Sequence, residues 1–231
     1  MNDTETPKIP EMAEVWQKTL NWQPTLAQQE KFECLYQEIL AGNQSLNLTR
    51  ITQQSDFWEK HLWDSLAGIA PMLTGKWDLQ TSTFEVIDIG TGAGFPGLPV
   101  AIAFPESRVM LLDSIRKKMV FLESLIAKLE IKNSEVCVGR AEQVNQQLKF
   151  KNKYDLALVR AVAAAPVCAK YALPFCRKGG RAVLYRGRWT VEEEKELNSV
   201  LKGLGGEIEA VRSFTTPLTQ GVRNCIDLKK L

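Results

Sequence analysis

The residues from Phe84 to Val100, F-E-V-I-D-I-G-T-G-A-G-F-P-G-L-P-V, decide the fold. An apolar run punctuated by Glu85 and Asp88 passes into a string crowded with glycine and proline, and apolar residues resume at Leu98 and Val100. This pattern predicts a strand, a glycine turn and the start of a helix. Gly90, Gly92 and Gly94 accept positive φ and carry no Cβ, so a ligand can lie against the backbone where the helix begins. Pro96 suits a first helical turn, which does not need its N–H.

Two ligand classes use such a turn. Gly92, Gly94 and Gly97 fit the dinucleotide fingerprint G-x-G-x-x-G, a weak signal alone. Counted from Gly90, with Asp88 ahead of it, the string reads D-x-G-x-G-x-G and resembles the first motif of the S-adenosylmethionine-dependent methyltransferases. Either ligand wants an acidic residue at the end of the next strand to accept from ribose hydroxyls, and Asp113 closes R-V-M-L-L-D there. A purely structural turn would leave that acid unexplained.

With 231 residues and 45% apolar content, the chain can fill one α/β core with a small extension. The formal charge is only +2, from 29 Lys and Arg against 27 Asp and Glu, so any RNA contact must come from local patches. The first ten residues lack the basic and apolar regions of a secretory leader, and no apolar run reaches about 18 residues. A cytoplasmic protein is expected. Cys34, Cys137, Cys168, Cys176 and Cys225 are odd in number with no C-x-x-C pair, which fits reduced thiols rather than an iron–sulfur set. With His61 the lone histidine, no metal site is expected.

Residues 1–24 read as a flexible tail with a short helix near Glu11 to Leu20. Thr25 with Gln28 forms a capping box, and Leu26, Phe32, Leu35, Tyr36, Ile39 and Leu40 share a helical face that Gly42 should close. A turn at 47–51 and a second helix over 56–69 complete a helical cap, 25–75. A methyltransferase domain is expected over 76–231. Its strands fall at 84–89, 108–112, 134–138, 154–159 and 180–185, alternating with helices at 97–104, 115–130, 141–148, 164–176 and 190–203, the pattern of a doubly wound parallel sheet. Glu207 to Phe214 and Arg223 to Lys229 are β-like with no helix between them, which predicts an antiparallel pair at the sheet's edge. A dinucleotide-binding sheet would keep winding in parallel. The expected fold is therefore α/β, a Rossmann-like class I methyltransferase sheet with an antiparallel final pair and a helical N-terminal cap.

Together with N-L-T-R-I at 47–51, H-L-W-D-S-L at 61–66 and L-L-D-S-I-R-K-K-M-V-F-L at 111–122, the glycine string closely resembles the bacterial RsmG (GidB) family. Those proteins methylate guanine N7 in small-subunit ribosomal RNA, and the likeness runs from about Leu26 to the C-terminus. The resemblance implies S-adenosylmethionine as methyl donor and small-subunit (16S) RNA, free or in the 30S particle, as acceptor. It implies that Gly90 and Phe95 line the donor, with Gly92 and Gly94 in the same turn. Asp113, Ser114 and Ile115 would hold its ribose and flank the adenine, Ala141 and Glu142 would meet the adenine edge, and Arg160 would complete the set. His61, Asp64, Arg160 and Arg186 are the substrate-side candidates. Lys60, Arg186 and Asn224 depart from the arginine, lysine and histidine common in the family, which bears on RNA contacts rather than on the reaction.

Guanine N7 carries a free lone pair. No proton must leave before it attacks, so positioning can supply most of the acceleration without a general base. After the fourth strand the chain reads Val159-Arg160-Ala161-Val162, without the Asn/Asp-Pro-Pro-aromatic string used on exocyclic amines. Cys168 and Cys176 fall within and near the end of a helical run, not on a site loop, which disfavours carbon-5 methylation. Blander readings stand beside these. His61 and Asp64, a helical turn apart, could pair locally on the cap, and Arg160 could be a plain ion pair at a strand end. Arg116-Lys117-Lys118 reads as a solvated helix face. The strings Lys149, Lys151, Lys153 and Arg177, Lys178, Arg181, Arg186, Arg188 would track phosphates only if they rim the cleft. Two other classes stay open: an NAD-type oxidoreductase, for which no proton relay is visible, and a ribosome-assembly factor that binds RNA without catalysis. A monomer is expected.

Overall fold

The computed structural model describes residues 8–77 and 83–231. Its sheet has seven strands, β1 (Glu85–Ile89), β2 (Arg108–Asp113), β3 (Ser134–Val138), β4 (Tyr154–Arg160), β5 (Cys176–Arg186), β6 (Gly206–Thr215) and β7 (Val222–Lys230), in the order β3-β2-β1-β4-β5-β7-β6. Strands β1 to β5 are parallel, and β7 inserts antiparallel between β5 and β6. The strand order reverses between β1 and β4. The crevice at their carboxyl ends is therefore the switch point at which sheets of this type bind ligands.

Successive side chains of a strand face opposite layers. Val86, Val109, Leu156, Leu158 and Val183 face the layer that holds α6 (Gly97–Ala103) and α7 (Arg116–Lys128). Ile87, Ile89, Ala157 and Val159 face the layer of α8 (Ala141–Val144), α9 (Ala165–Ala172) and α10 (Val191–Leu204). Both faces are apolar because both are covered, as a parallel sheet requires.

The N-terminal helices join the first of these layers. α1 (Ala13–Leu20) lies within the segment expected to be a tail, yet Trp16 is only 3% exposed and meets the rings of Trp22, Phe32 and Trp58. That segment is thus packed from Ala13 onward, because an indole buries more surface than a loose chain can leave in water. Residues 1–7 of the expected tail lie outside the described residues. α2 (Leu26–Leu46) starts at the Thr25 capping box and continues past Gly42 to Asn47, whose φ of 49° ends it. Gly42 serves close approach instead, since a Cβ there would collide with the Phe121 ring.

The helix expected over 56–69 is replaced by α3 (Gln54–Phe57), a π-helical turn (Trp58–Trp63) and α4 (Asp64–Ala67), followed by α5 (Ala70–Leu73). The π turn carries Glu59 inward, fully buried, where its carboxylate accepts from Leu218 N (2.5 Å), Thr219 N (2.9 Å) and Thr219 Oγ1 in the β6–β7 hairpin. Arg212 on β6, paired with Asp227, donates to the carbonyls of Ala67 and Gly68 at the end of α4. These bonds tie the cap to the far edge of the sheet. Two other helices are shorter than expected. α9 stops at Ala172 because Pro174 cannot continue the ladder, so Cys176 opens β5. α8 stops at Val144, where the Asn145 amide turns to the carbonyls of Lys170 and Tyr171.

Candidate active site

The turn after β1 is built on positive φ: 72° at Gly90, 60° at Gly92 and 94° at Gly94. Asp88, fully buried beneath it, accepts from Thr91 Oγ1 (2.6 Å) and Gly97 N (2.7 Å), which ties the turn to the first residue of α6. Its other oxygen has no partner among the described residues, and burial pushes its carboxyl up to about 6. Gly97 is thus needed for packing, since a Cβ there would lie 2.8 Å from Asp88 Oδ2. Asp113, at the end of β2, accepts from Gly92 N (3.0 Å) and from Ile115 N (2.9 Å). Each carboxylate oxygen keeps a lone pair for a further donor.

Above this turn the rings of Phe95 and His61 stack with centroids 4.3 Å apart and planes 6° from parallel. His61 Nε2 meets Thr49 Oγ1 at 2.8 Å, and Nδ1 faces Arg160 Nη2 at 3.4 Å. Arginine can only donate, so Nδ1 holds the lone pair and Nε2 the proton. Burial, then Arg160, then Lys60 depress the imidazole to about 3, so it is neutral at pH 7. Arg160 also donates from Nη1 to Lys60 O (2.9 Å) and Asp64 Oδ2 (3.1 Å), and Asp64 Oδ1 pairs with Arg223 at 3.4 Å. His61 and Asp64 therefore do not pair with one another. Each is held by a residue from a distant strand.

Residues 28–222 match the family described as GidB, rRNA small subunit methyltransferase G. The chain belongs to this family. It is 52% identical over 223 residues to ribosomal RNA small subunit methyltransferase G of Nostoc punctiforme, and 53% identical over 223 residues to the protein of that name from Trichormus variabilis. Each alignment covers 96% of this chain and 91% of the relative. The O-methyltransferase from Bacillus cereus, solved in complex with SAH, superposes with a TM-score of 0.61 over 95% of this chain and 97% of that one. At 14% identity that likeness is one of fold. The fold is that of the class I S-adenosylmethionine-dependent methyltransferases, and S-adenosylmethionine is the methyl donor.

In this methyltransferase a cleft of ≈ 520 Å³ opens over the glycine turn, within the size of roughly 300–1,000 Å³ usual for small-ligand sites. Eight of the ten residues expected to meet the donor line it: Gly90, Gly92, Phe95, Asp113, Ser114, Ala141, Glu142 and Arg160. Gly94 and Ile115 do not. Gly94 packs against Leu98 and Leu122, and Ile115 stands at the N-cap position of α7 with its N–H donated to Asp113. A bare backbone, a carboxylate with free lone pairs and the β3–α8 turn converge on one space, which fits a charged nucleoside. Lys118 lines this cleft as well, unlike the exposed Arg116 and Lys117 beside it. In the sequence Asp88 reads only as the acid ahead of the glycine string, and Thr49 only within N-L-T-R-I. Their contacts, Asp88 beneath the turn and Thr49 against His61, come from the packing.

A second cavity of ≈ 880 Å³ adjoins the first and shares His61, Arg160 and Ala161 with it. Lys60, Arg186, Arg188 and Arg223 stand around it. Arg177, Lys178 and Arg181 instead sit toward the other end of β5, around a separate cavity with Lys229 and Lys230. The basic string thus divides between opposite ends of the sheet.

Two expected outcomes follow from this geometry. A Cβ at Gly92 would have no atom nearer than Gly90 O at 3.9 Å, so Gly92→Ala meets only left-handed backbone strain of about 1–2 kcal/mol. The new methyl borders the donor cleft. Calorimetry should show donor affinity reduced roughly tenfold or more, about 1.4 kcal/mol, in a protein that still melts cooperatively.

The second concerns pH. Below the ordinary His61 value of 6.5 the unfolded chain takes up a proton that the folded imidazole refuses, so this stabilisation is present above pH 6.5 and lost as pH falls. The loss is about 1.4 kcal/mol per unit, or roughly 2 kcal/mol by pH 5. Asp88 works in the opposite sense. Its raised carboxyl binds a proton in the folded state first, so its contribution grows as pH falls through about 6 toward the ordinary 3.8. Denaturant unfolding from pH 7 to 5 should therefore show a smaller loss of stability in His61→Gln than in the wild-type chain. Equal slopes would contradict the buried neutral imidazole.

Proposed function

We propose that this chain transfers the methyl group of S-adenosylmethionine to N7 of a guanine in small-subunit ribosomal RNA. The observation that carries this reading is the adjacency of two cavities, one over a glycine turn faced by Asp113 and one rimmed by cations, separated by a wall of His61, Phe95 and Arg160. The donor supplies a sulfonium methyl, which a nucleophile displaces in line. Gly90, Gly92, Phe95, Asp113, Ser114, Ala141 and Glu142 are assigned to holding it, with Asp113 accepting from the ribose hydroxyls.

The acceptor side needs no base, and the residues on the wall agree. His61 Nε2–H is turned to Thr49 and its Nδ1 to Arg160, so its only lone pair is not directed at an acceptor. Asp64 is bound by two arginines. A group that had to remove a proton from an exocyclic amine would not be neutralised in this way. His61, Asp64 and Arg160 are assigned to shaping the wall against which the guanine is placed, with Arg188, Arg223 and Lys60 toward the RNA phosphates. The helices over 25–75 act as a cap on a methyltransferase unit over 76–231. The enzyme is assigned to the cytoplasm as a monomer.

The experiment is transfer of labelled methyl from the donor to small-subunit RNA and to 30S particles. Strand scission under chemistry selective for 7-methylguanosine should fall at the labelled position. Label confined to another base atom would overturn the assignment to N7, and no label at all would favour an RNA-binding role without catalysis.

A further inference from the structure

Between the two cavities runs the short connection from β4 to α9. Among the described residues, Ala161, at φ 56°, is the one non-glycine residue lining the donor cleft that adopts the left-handed region, and Val162 follows it half-exposed. A Cβ on Gly90 would lie 2.6 Å from Val162 Cγ2, so this isopropyl group is seated directly on the bare α-carbon of the glycine turn. Ala161 borders both cavities, and Val162 and Ala163 border the donor cleft. The connection is the partition between donor and acceptor.

A left-handed alanine needs support from its surroundings. That support comes through the carbonyl of Ala163, which accepts from Arg186 Nη1 at 2.8 Å and from Cys168 Sγ at 3.3 Å. Arg186 sits at the end of β5, and its Nη2 donates to Glu193 Oε1 at 2.8 Å. Glu193 in turn belongs to the capping box that begins α10, accepting from Thr190 N and donating its own N–H to Thr190 Oγ1. The guanidinium therefore bridges three elements, its charge is matched by Glu193, and its Nε is buried without a partner among the described residues. A phosphate-reading arginine extends into solvent; this one is clamped at both Nη atoms.

We infer that Arg186 is a positioning residue, which holds the Ala161–Ala163 partition against Gly90 through Ala163 O and thereby sets the separation of donor and acceptor. It acts on the reaction through the backbone, not by binding RNA. The inference rests on the RNA methyltransferase reading above. Misplacement of reacting groups by about an ångström is enough to slow a displacement on the order of a hundredfold.

The test compares Arg186→Met, Arg186→Lys and Glu193→Gln in steady-state RNA methylation, donor calorimetry and salt-dependent RNA binding. Expected for Arg186→Met is a kcat at least roughly tenfold lower, with KM for RNA within about twofold and the salt slope unchanged. Arg186→Lys should recover part of kcat, since an ammonium can reach Ala163 O or Glu193 but not both. Glu193→Gln should lower kcat in the same direction, and the double variant should be no slower than Arg186→Met. A raised KM with kcat intact and a salt slope smaller by about 0.7–0.9 would instead mark a phosphate contact and overturn the inference. Tighter RNA binding by Glu193→Gln, which frees the guanidinium, would do the same, as would unchanged kinetics throughout. Should Arg186→Met fail to fold, the other two variants decide. Wild-type protein that methylates no RNA would defeat the functional reading itself, an outcome separate from any of these.

Discussion

Asp113→Ala is expected to weaken S-adenosylmethionine binding by roughly 10²–10³-fold. The carboxylate stands at the carboxyl end of β2, on the border of the donor cleft, and is already oriented by the N–H groups of Gly92 and Ile115. It is therefore pre-organised to accept from two ribose hydroxyls. A hydrogen bond to a charged group contributes about 1.5–3 kcal/mol; at the lower end of that range losing two costs about 3–4 kcal/mol, and each 1.4 kcal/mol is tenfold in affinity. Asp113→Asn keeps the size and one acceptor oxygen, and should lose less. Isothermal calorimetry with the donor and its demethylated product measures both. Affinity unchanged in the alanine variant would remove Asp113 from the donor site and leave the glycine turn without its partner.

Arg160→Met is expected to act on stability and on rate together. Its guanidinium is largely buried, bonded to Lys60 O and Asp64, and it faces the lone pair of His61 while lying over the Phe95 ring at 5.7 Å. Methionine would leave Asp64 with Arg223 alone, and breaking a buried pair from one side costs about 3–5 kcal/mol. Unfolding in denaturant should show a loss near the lower end of that range, because Arg223 still compensates part of the charge. Methyl transfer should fall on the order of a hundredfold as the wall between the cavities shifts. A third consequence has a definite sign. Burial is the larger cause of the low His61 value and Arg160 the second, so removing the guanidinium raises the imidazole part of the way toward its ordinary 6.5. On the acid side, the variant's pH–rate profile should fall off at a higher pH than that of the wild-type enzyme. A variant with wild-type stability and an unshifted profile would show that the pair is incidental.

Much of the cleft over the glycine turn was legible in the sequence. Gly90, Gly92 and Asp113 announce themselves because a left-handed turn against a ligand tolerates little but glycine, and because a ribose needs an acid at the next strand tip. The seven strands were legible for a similar reason. Apolar runs of strand length alternate with helical stretches, and the last two runs have no helix between them. Element ends were less so: Gly42 reads as a helix stop but is a contact with Phe121, a distinction that rests on a side chain 79 positions away in sequence.

The amino-acid sequence by itself determined the class I sheet, its antiparallel finish, the glycine cradle and the acid that faces it, since each is encoded by neighbours within a few residues. Tertiary structure alone decided the wall between the two cavities. The π turn that delivers Glu59 and His61, the Arg160–Asp64–Arg223 chain and the Arg186–Ala163–Glu193 bridge join residues from different strands and helices. Arginine forms such bonds with any buried carboxylate or carbonyl it can reach, so its partner is chosen by the packing of the two layers and leaves no mark in the local string.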